Sequence, residues 1–275
     1  MSIRNLDKLF KPASVALIGA TARDHKLGAI ALANLLGGGY QGDIWPVNPK
    51  YDELMGLKCY RKLAHLPKAP DLAIICTPPA TITALIRDLG ALGTRAAIVM
   101  TSGLDPVREQ SLRLAMLKAA KPHLLRILGP NSMGLLVPKL GLNASFAHVG
   151  ATSGKIAFVS QSGALVSGVL DWANAHGVGF SKFISLGASY DIDFGDLLDY
   201  LAGDIDTAAI LLYMEDIHAA RKFMSAARAA ARSKPVIVLK AGREAEGAAM
   251  AAWHTGALAG SDAVYDAAIR RAGML

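Results

Sequence analysis

The chain has 275 residues, of which 52% are hydrophobic and 6% aromatic, and its formal net charge is +7. This is enough for one large or two ordinary domains with ample core material, and no uninterrupted apolar run approaches the roughly 18–20 residues of a membrane span. Residues 1–10 mix Arg4, Asp7 and Lys8 with apolar side chains and contain no secretory apolar region. The two cysteines, Cys59 and Cys76, have no metal-ligand spacing, and the economical reading is a protein of a reducing cytoplasm that holds no metal. Charge is unevenly placed. Up to Leu135 there are 17 Lys/Arg against 9 Asp/Glu, a net of +8; from Leu136 onward 12 stand against 13, a net of −1. A basic half attracts polyanions. With no basic arm and no aromatic platforms for bases, the expected ligand is a phosphorylated small molecule, with no nucleic acid and no membrane as partner.

In chain order, Ser14-Val15-Ala16-Leu17-Ile18 is an apolar run closed by Gly19, as a buried parallel strand requires. A helix over residues 27–36 is stopped by Gly37-Gly38-Gly39. Further strands are expected at residues 43–47, 72–76, 96–100 and 126–128, with helices at 81–92 and 106–120. A loop rich in Gly and Ser covers residues 141–154, after which the alternation restarts. Strands at 155–159, 180–185, 208–213 and 236–239 are separated or followed by helices at 164–175, 194–202, 219–231 and 262–272. The expected fold class is therefore α/β, with two parallel-sheet domains at residues 1–140 and 141–275. Right-handed crossovers place the loops after the strands on one edge, where ligands bind.

Several of those loops carry chemistry. Gly19-Ala20-Thr21, with Lys26 before the helix, is a glycine turn opening a helix, which suits an anion because free N–H groups and the helix dipole face it. It is not Gly-x-Gly-x-x-Gly. The second strand runs into Val47-Asn48-Pro49-Lys50, with no acid to grip a ribose, so a nicotinamide dehydrogenase recedes and a phosphate-rich ligand other than NAD is favoured. Cys76-Thr77-Pro78 and Thr101-Ser102-Gly103 lie on the same expected edge. In the second half, Ser160-Gln161-Ser162-Gly163 opens a helix and offers a second anion site, although Ser162 also suits a plain N-cap. Glu215 ends a strand where it can fix a histidine tautomer. His254 sits among small residues in Trp253-His254-Thr255-Gly256-Ala257, and a neutral imidazole is a competent nucleophile.

These motifs, with Gly129-Pro130-Asn131-Ser132-Met133-Gly134 between them, resemble in their order the α subunit of succinyl-CoA synthetase and, more closely, the NDP-forming acyl-CoA synthetases (acetate–CoA ligases). The resemblance runs from about Leu6 to the C-terminus. It implies a Rossmann-like CoA-binding domain followed by a flavodoxin-like ligase domain, with coenzyme A as substrate. His254 matches the phosphorylated histidine that passes phosphate between an acyl phosphate and ADP or GDP. Ser162 and Gly163 match the helix start holding that phosphate, and Glu215 the glutamate that orients the histidine. Thr21, Lys50, Cys76 to Pro79 and Thr101 to Gly103 match segments lining the CoA site. The resemblance further implies a carboxylic acid or acyl phosphate as co-substrate, and an oligomer. ATP or GTP with Mg would sit on an ATP-grasp β subunit or fused domain absent from this sequence. Ala188 stands where the family has Asn, Tyr190 where a small residue is common, and Trp253 is larger than expected before the histidine. Related fused proteins use the same unit as an acyl-CoA-sensing regulatory module of a protein lysine acetyltransferase, which is the alternative function.

Overall fold

The computed structural model describes residues 3–102, 106–242 and 262–275. A short helix α1 (Leu6–Phe10) leads into β1 (Ser14–Ile18), whose five residues are all buried, the mark of a strand covered on both faces. Then follow α2 (Leu27–Gly37), β2 (Asp43–Val47), a small hairpin of β3 (Glu53–Leu54) and β4 (Leu57–Lys58), β5 (Leu72–Ile75), α3 (Pro79–Leu92), β6 (Ala96–Val99), α4 (Pro106–Ala120) and β7 (Arg126–Leu128). The five longer strands form a parallel sheet in the order β2-β1-β5-β6-β7. The strand order reverses between β1 and β5, so the crossovers after these two strands leave in opposite directions, the place where sheets of this kind bind ligands in a crevice.

The second half contains β8 (Gly134–Val137), β9 (Leu142–Ser145), β10 (Ser153–Ser160), α5 (Gly163–Ala175), β11 (Phe180–Ser185), α6 (Phe194–Gly203), β12 (Ala209–Met214), α7 (Ala220–Ala231), β13 (Val236–Lys240) and α8 (Asp262–Ala272). Its sheet runs β13-β12-β10-β11-β8-β9. β10 to β13 are parallel, and the order reverses between β10 and β12. This sheet is mixed rather than wholly parallel, because β8 pairs antiparallel with β11, and β9 antiparallel with β8. Thus Leu142–Ser145, inside the stretch expected to be loop, is a strand. β8 lies before residue 140 yet is hydrogen-bonded into the second sheet. The chain passes from one sheet to the other between Leu128 and Gly134.

One buried cluster runs through both halves, joining Leu17 and Leu32 of the first to Leu198 and Phe223 of the second. Polar contacts set the halves against each other. Asn34 Nδ2 donates to the carbonyls of Ser145 (2.9 Å) and Ala147 (2.8 Å). The segment after β11 runs along the free edge of β7: Ile192 N–H donates to Ile127 O, and Ile127 N–H to Asp191 Oδ2 at 2.7 Å. Arg126 bonds both Asp191 and Asp196, and Lys222 bonds Asp193 and Asp196, so a half-buried charged network centred on the buried Asp196 locks the junction. Among the described residues no helix is long and apolar enough to cross a membrane.

Candidate functional site

The first crevice is built on Gly19, which has φ +89 and donates its N–H to Val47 O at 3.0 Å. A Cβ at Gly19 would stand 3.0 Å from Thr77 Cγ2 and 3.1 Å from the Cys76 carbonyl, so glycine lets the loops after β1 and β5 meet. Asn48 clamps these turns: its Nδ2 donates to Ala20 O at 2.7 Å, and its Oδ1 accepts from Lys50 N–H at 2.9 Å. Its side chain therefore holds the loop after Val47 and Pro49 in place rather than waiting for a ligand. Thr21 Oγ1 accepts from Arg23 N–H and lies 3.1 Å from the Tyr51 hydroxyl. That bond leads in holding the Tyr51 phenol below its ordinary pKa, with Arg23 and Lys50 adding positive charge nearby. Tyr51 was not expected at the site; its only sequence signal is adjacency to Lys50. Lys26 precedes α2, whose start carries no side-chain cap, and both Lys26 and Lys50 are exposed.

On the other wall, the Cys76 thiol contacts Met100 sulfur at 3.5 Å, and burial pushes its pKa up to about 12. It stays a thiol, so what Cys76 can offer a ligand is backbone. Thr101 Oγ1 donates to Thr77 O at 2.7 Å, tying the loops after β5 and β6 together, and Thr77 Oγ1 pairs with Thr81 Oγ1. Pro78 precedes α3, with Pro79 in its first turn, and Ser102 is exposed. Gly103 lies outside the described residues.

The second loop pair stands at the β10/β12 reversal. Ser162 is the N-cap of α5, and its hydroxyl accepts from Leu165 N–H at 3.4 Å. Helix geometry leaves the N–H groups of Gly163 and Ala164 without an acceptor inside the helix. Among the described residues a Cβ at Gly163 would meet Met133 alone, at 3.4–3.7 Å. Gln161, which the sequence places in the Ser160–Gly163 motif without a role of its own, spans the reversal. Its Oε1 accepts from Glu215 N–H (2.7 Å) and Asp216 N–H (3.1 Å), and its Nε2 donates to Asp216 Oδ1. Gln161 thereby fixes the loop that carries Glu215 beside the helix start. His254, with Trp253 and Thr255 to Ala257, lies outside the described residues.

Between the two loop pairs runs the connection from β7 to β8. Asn131 N–H donates to Thr101 O at 2.9 Å, Ser132 Oγ to Ser185 O at 2.6 Å, and Met133 N–H to Ser185 Oγ at 3.1 Å. Leu186 N–H in turn donates to Ser160 O, and Ser160 Oγ to Ser162 O. Ala188 N–H bonds Pro130 O. Tyr190, marked for its bulk, packs on the core of the first half with Arg113 over its ring at 5.1 Å.

Comparison with known proteins matches both halves. Residues 13–138 match the CoA binding domain, and residues 153–275 the succinyl-CoA ligase like flavodoxin domain. The chain is 39% identical over 272 residues to the ADP-forming acetate–CoA ligase I of Archaeoglobus fulgidus, covering 98% of this chain and 39% of that protein. It is 38% identical over 277 residues to the α subunit of the ADP-forming acetate–CoA ligase I of Pyrococcus furiosus, covering 98% of this chain and 60% of the subunit. A solved structure of the Ca. Korarchaeum cryptofilum acetyl-coenzyme A synthetase 1, in complex with phosphate and ADP, superposes with a TM-score of 0.94 at 40% identity, covering 98% of this chain and 59% of that one. The chain thus spans less than two thirds of the length of each of these relatives.

Proposed function

We infer the activity from the family to which this chain belongs, the NDP-forming acyl-CoA synthetases: it is the CoA-binding and phosphohistidine-carrying part of a reversible acyl-CoA synthetase. In one direction phosphate displaces CoA from acyl-CoA to give an acyl phosphate. His254 then takes the phosphoryl group, releasing the carboxylate, and passes it to ADP or GDP. The nucleotide, with Mg, binds a partner: an ATP-grasp β subunit or a fused domain of a longer cytoplasmic oligomer.

Two anion-receptive loop pairs, each at the reversal point of its own sheet and tied together through Asn131, Ser132, Ser185 and Ser160, carry this reading. The crevice around Gly19 takes the phosphate-rich end of CoA, with Lys26 and Lys50 as cations, Thr21 beside them, and the loops from Cys76 to Pro78 and from Thr101 to Gly103 along the remainder. The basic balance of the first half suits a ligand with several phosphate charges. The N–H groups at Gly163, with the dipole of α5, hold the phosphoryl group. Because Ser162 caps its own helix, its share in that hold is to present the helix start. Glu215, its loop fixed by Gln161, orients His254. Such preorganised donors supply most of the catalysis of phosphoryl transfer.

The test uses the chain assembled with its ATP-grasp partner and radiolabelled ATP. An acid-labile, base-stable label should form and be lost in His254→Ala, while CoA affinity by calorimetry stays nearly unchanged. Lys50→Ala should weaken CoA binding, which should also weaken with salt because phosphate contacts are screened. An assembled enzyme that never labels, while acyl-CoA alters the activity of an attached acetyltransferase domain, would establish the sensor instead.

A further inference from the structure

Among the described residues, the loop between β7 and β8 reaches both proposed half-sites. At one end Asn131 N–H is held by Thr101 O, on the CoA side. At the other, two residues on, the Met133 side chain lies 3.4 Å from where a Gly163 Cβ would be, on the phosphate side. A carbonyl carbon exchanged between a thiol held by the first set of loops and a phosphate held by the second must pass this point. Most polar groups there are already engaged: Thr101 Oγ1 with Thr77 O, Ser132 Oγ with Ser185 O, Ser185 Oγ with Met133 N–H, and Ser160 Oγ with Ser162 O. Asn131 differs. It is exposed, has φ +56, and its carboxamide bonds no described residue, while its backbone is pinned on both sides. The left-handed conformation is one that asparagine tolerates, and Gly187 crosses so close that a Cβ there would stand 2.6 Å from Asn131 O. A rigid backbone with an uncommitted amide is the arrangement expected of a preorganised donor.

We propose that Asn131 is a catalytic residue whose carboxamide N–H donates to the carbonyl oxygen of the acyl group during its exchange between CoA and phosphate. This rests on the synthetase reading above and adds to it the group that handles the acyl carbon. In the direction of acyl-CoA formation, CoA sulfur attacks the carbonyl carbon of the acyl phosphate. The C–S bond forms, and the electron pair of the C=O π bond moves onto oxygen, where the Asn131 amide meets the negative charge. The pair then returns as the C–O bond to the phosphate breaks, and the departing phosphate carries the proton lost by the thiol. A fixed amide N–H binds the tetrahedral oxyanion more strongly than the ground-state carbonyl because the acceptor oxygen then carries negative charge.

The backbone geometry decides which variants are informative. Alanine would be strained at φ +56, so Asn131→Asp and Asn131→Gly are used, since both residues tolerate this conformation. Aspartate keeps the size and loses the donor; glycine removes the side chain. Both are measured in the enzyme assembled with its ATP-grasp partner, in two assays. Labelling of His254 from ATP involves no acyl carbonyl and should proceed within about twofold of the unaltered enzyme. Acyl-CoA formation from acyl phosphate and CoA should fall in kcat by roughly 10²–10³-fold, the usual effect of removing one oxyanion donor, with KM for CoA nearly unchanged. Acyl-CoA formation within about threefold of normal in either variant overturns the proposal. So does an equal loss of labelling in both, which would make Asn131 a support of the loop. Absence of label in the unaltered enzyme would instead bring down the synthetase reading beneath it, and this proposal with it.

Discussion

Gly28 lies in the first turn of α2, where the helix rests on the turn that begins the first crevice. A Cβ built there would stand 2.1 Å from Gly19 O, 2.9 Å from Gly19 C and 3.2 Å from Ala20 Cα, all backbone atoms that cannot swing aside. Ordinary carbon–oxygen contact needs over an ångström more than that first distance, so Gly28→Ala must push α2 off the turn or drag the turn with it. Overpacking of this kind costs about 1–3 kcal/mol. At about 2 kcal/mol, and about 2–4 °C per kcal/mol for a chain of this size, the melting temperature should fall by roughly 4–8 °C. Because the displaced backbone is the proposed phosphate cradle, CoA affinity should fall at least about tenfold, equivalent to about 1.4 kcal/mol. Gly37→Ala, at the other end of the same helix, meets none of the described residues within 4 Å and serves as the control. It should leave CoA affinity unchanged and raise stability slightly, by reducing the freedom of the unfolded chain. Calorimetric titration with CoA and thermal unfolding followed by circular dichroism read both effects. If Gly28→Ala binds CoA as tightly as the unaltered chain, the contact between α2 and the Gly19 turn does not shape the CoA site.

Three further expectations concern the second half. The buried pair Lys182–Asp204, with Thr207 also donating to Asp204, lies beneath Phe10 and Tyr200 and helps seat α1. Lys182→Met, which leaves a buried carboxylate without its cation, should cost about 3–5 kcal/mol in urea unfolding, and adding Asp204→Leu should recover most of it; a loss under about 1 kcal/mol would show that the pair is not coupled. Burial raises the Asp204 pKa, but the bonds from Lys182 and Thr207 lower it by more, and the net position is below the ordinary range. This contribution is therefore present above the unfolded pKa near 4 and lost as pH falls through the lower folded value; an Asp204→Asn chain with an unchanged pH–stability slope below about pH 4 would refute it. Gln161→Leu releases the loop of Glu215 and Asp216, and should slow His254 labelling by on the order of 10²-fold with CoA affinity intact; labelling at the normal rate would remove Gln161 from the site.

Much of the architecture was legible because it is local. Runs such as Ser14–Ile18 and Leu72–Ile75 are apolar enough for burial on both faces, and the glycines and helix formers between the strands leave few alternatives to repeated strand–helix units. The loops that would carry chemistry were legible for the same reason, since in such folds they follow the strands. β8 and β9 were not. Each has four residues; Leu142–Ser145 is a strand by hairpin pairing with β8, and β8 is itself held on the edge of β11, a segment distant in sequence.

The sequence by itself determined two α/β halves, the residue types at each strand end and the basic balance of the first half, all consequences of short-range pattern and composition. Only the tertiary structure decided which of those residues remain available. Asn48 is used as a clamp, Cys76 packs against Met100, Ser162 caps its own helix and Gln161 holds the loop of Glu215, whereas the Asn131 carboxamide bonds no described residue at the junction of the two sheets. The physical reason is that a side chain's hydrogen-bonding capacity is limited, and which partner takes it depends on groups brought together by strand order rather than by sequence separation.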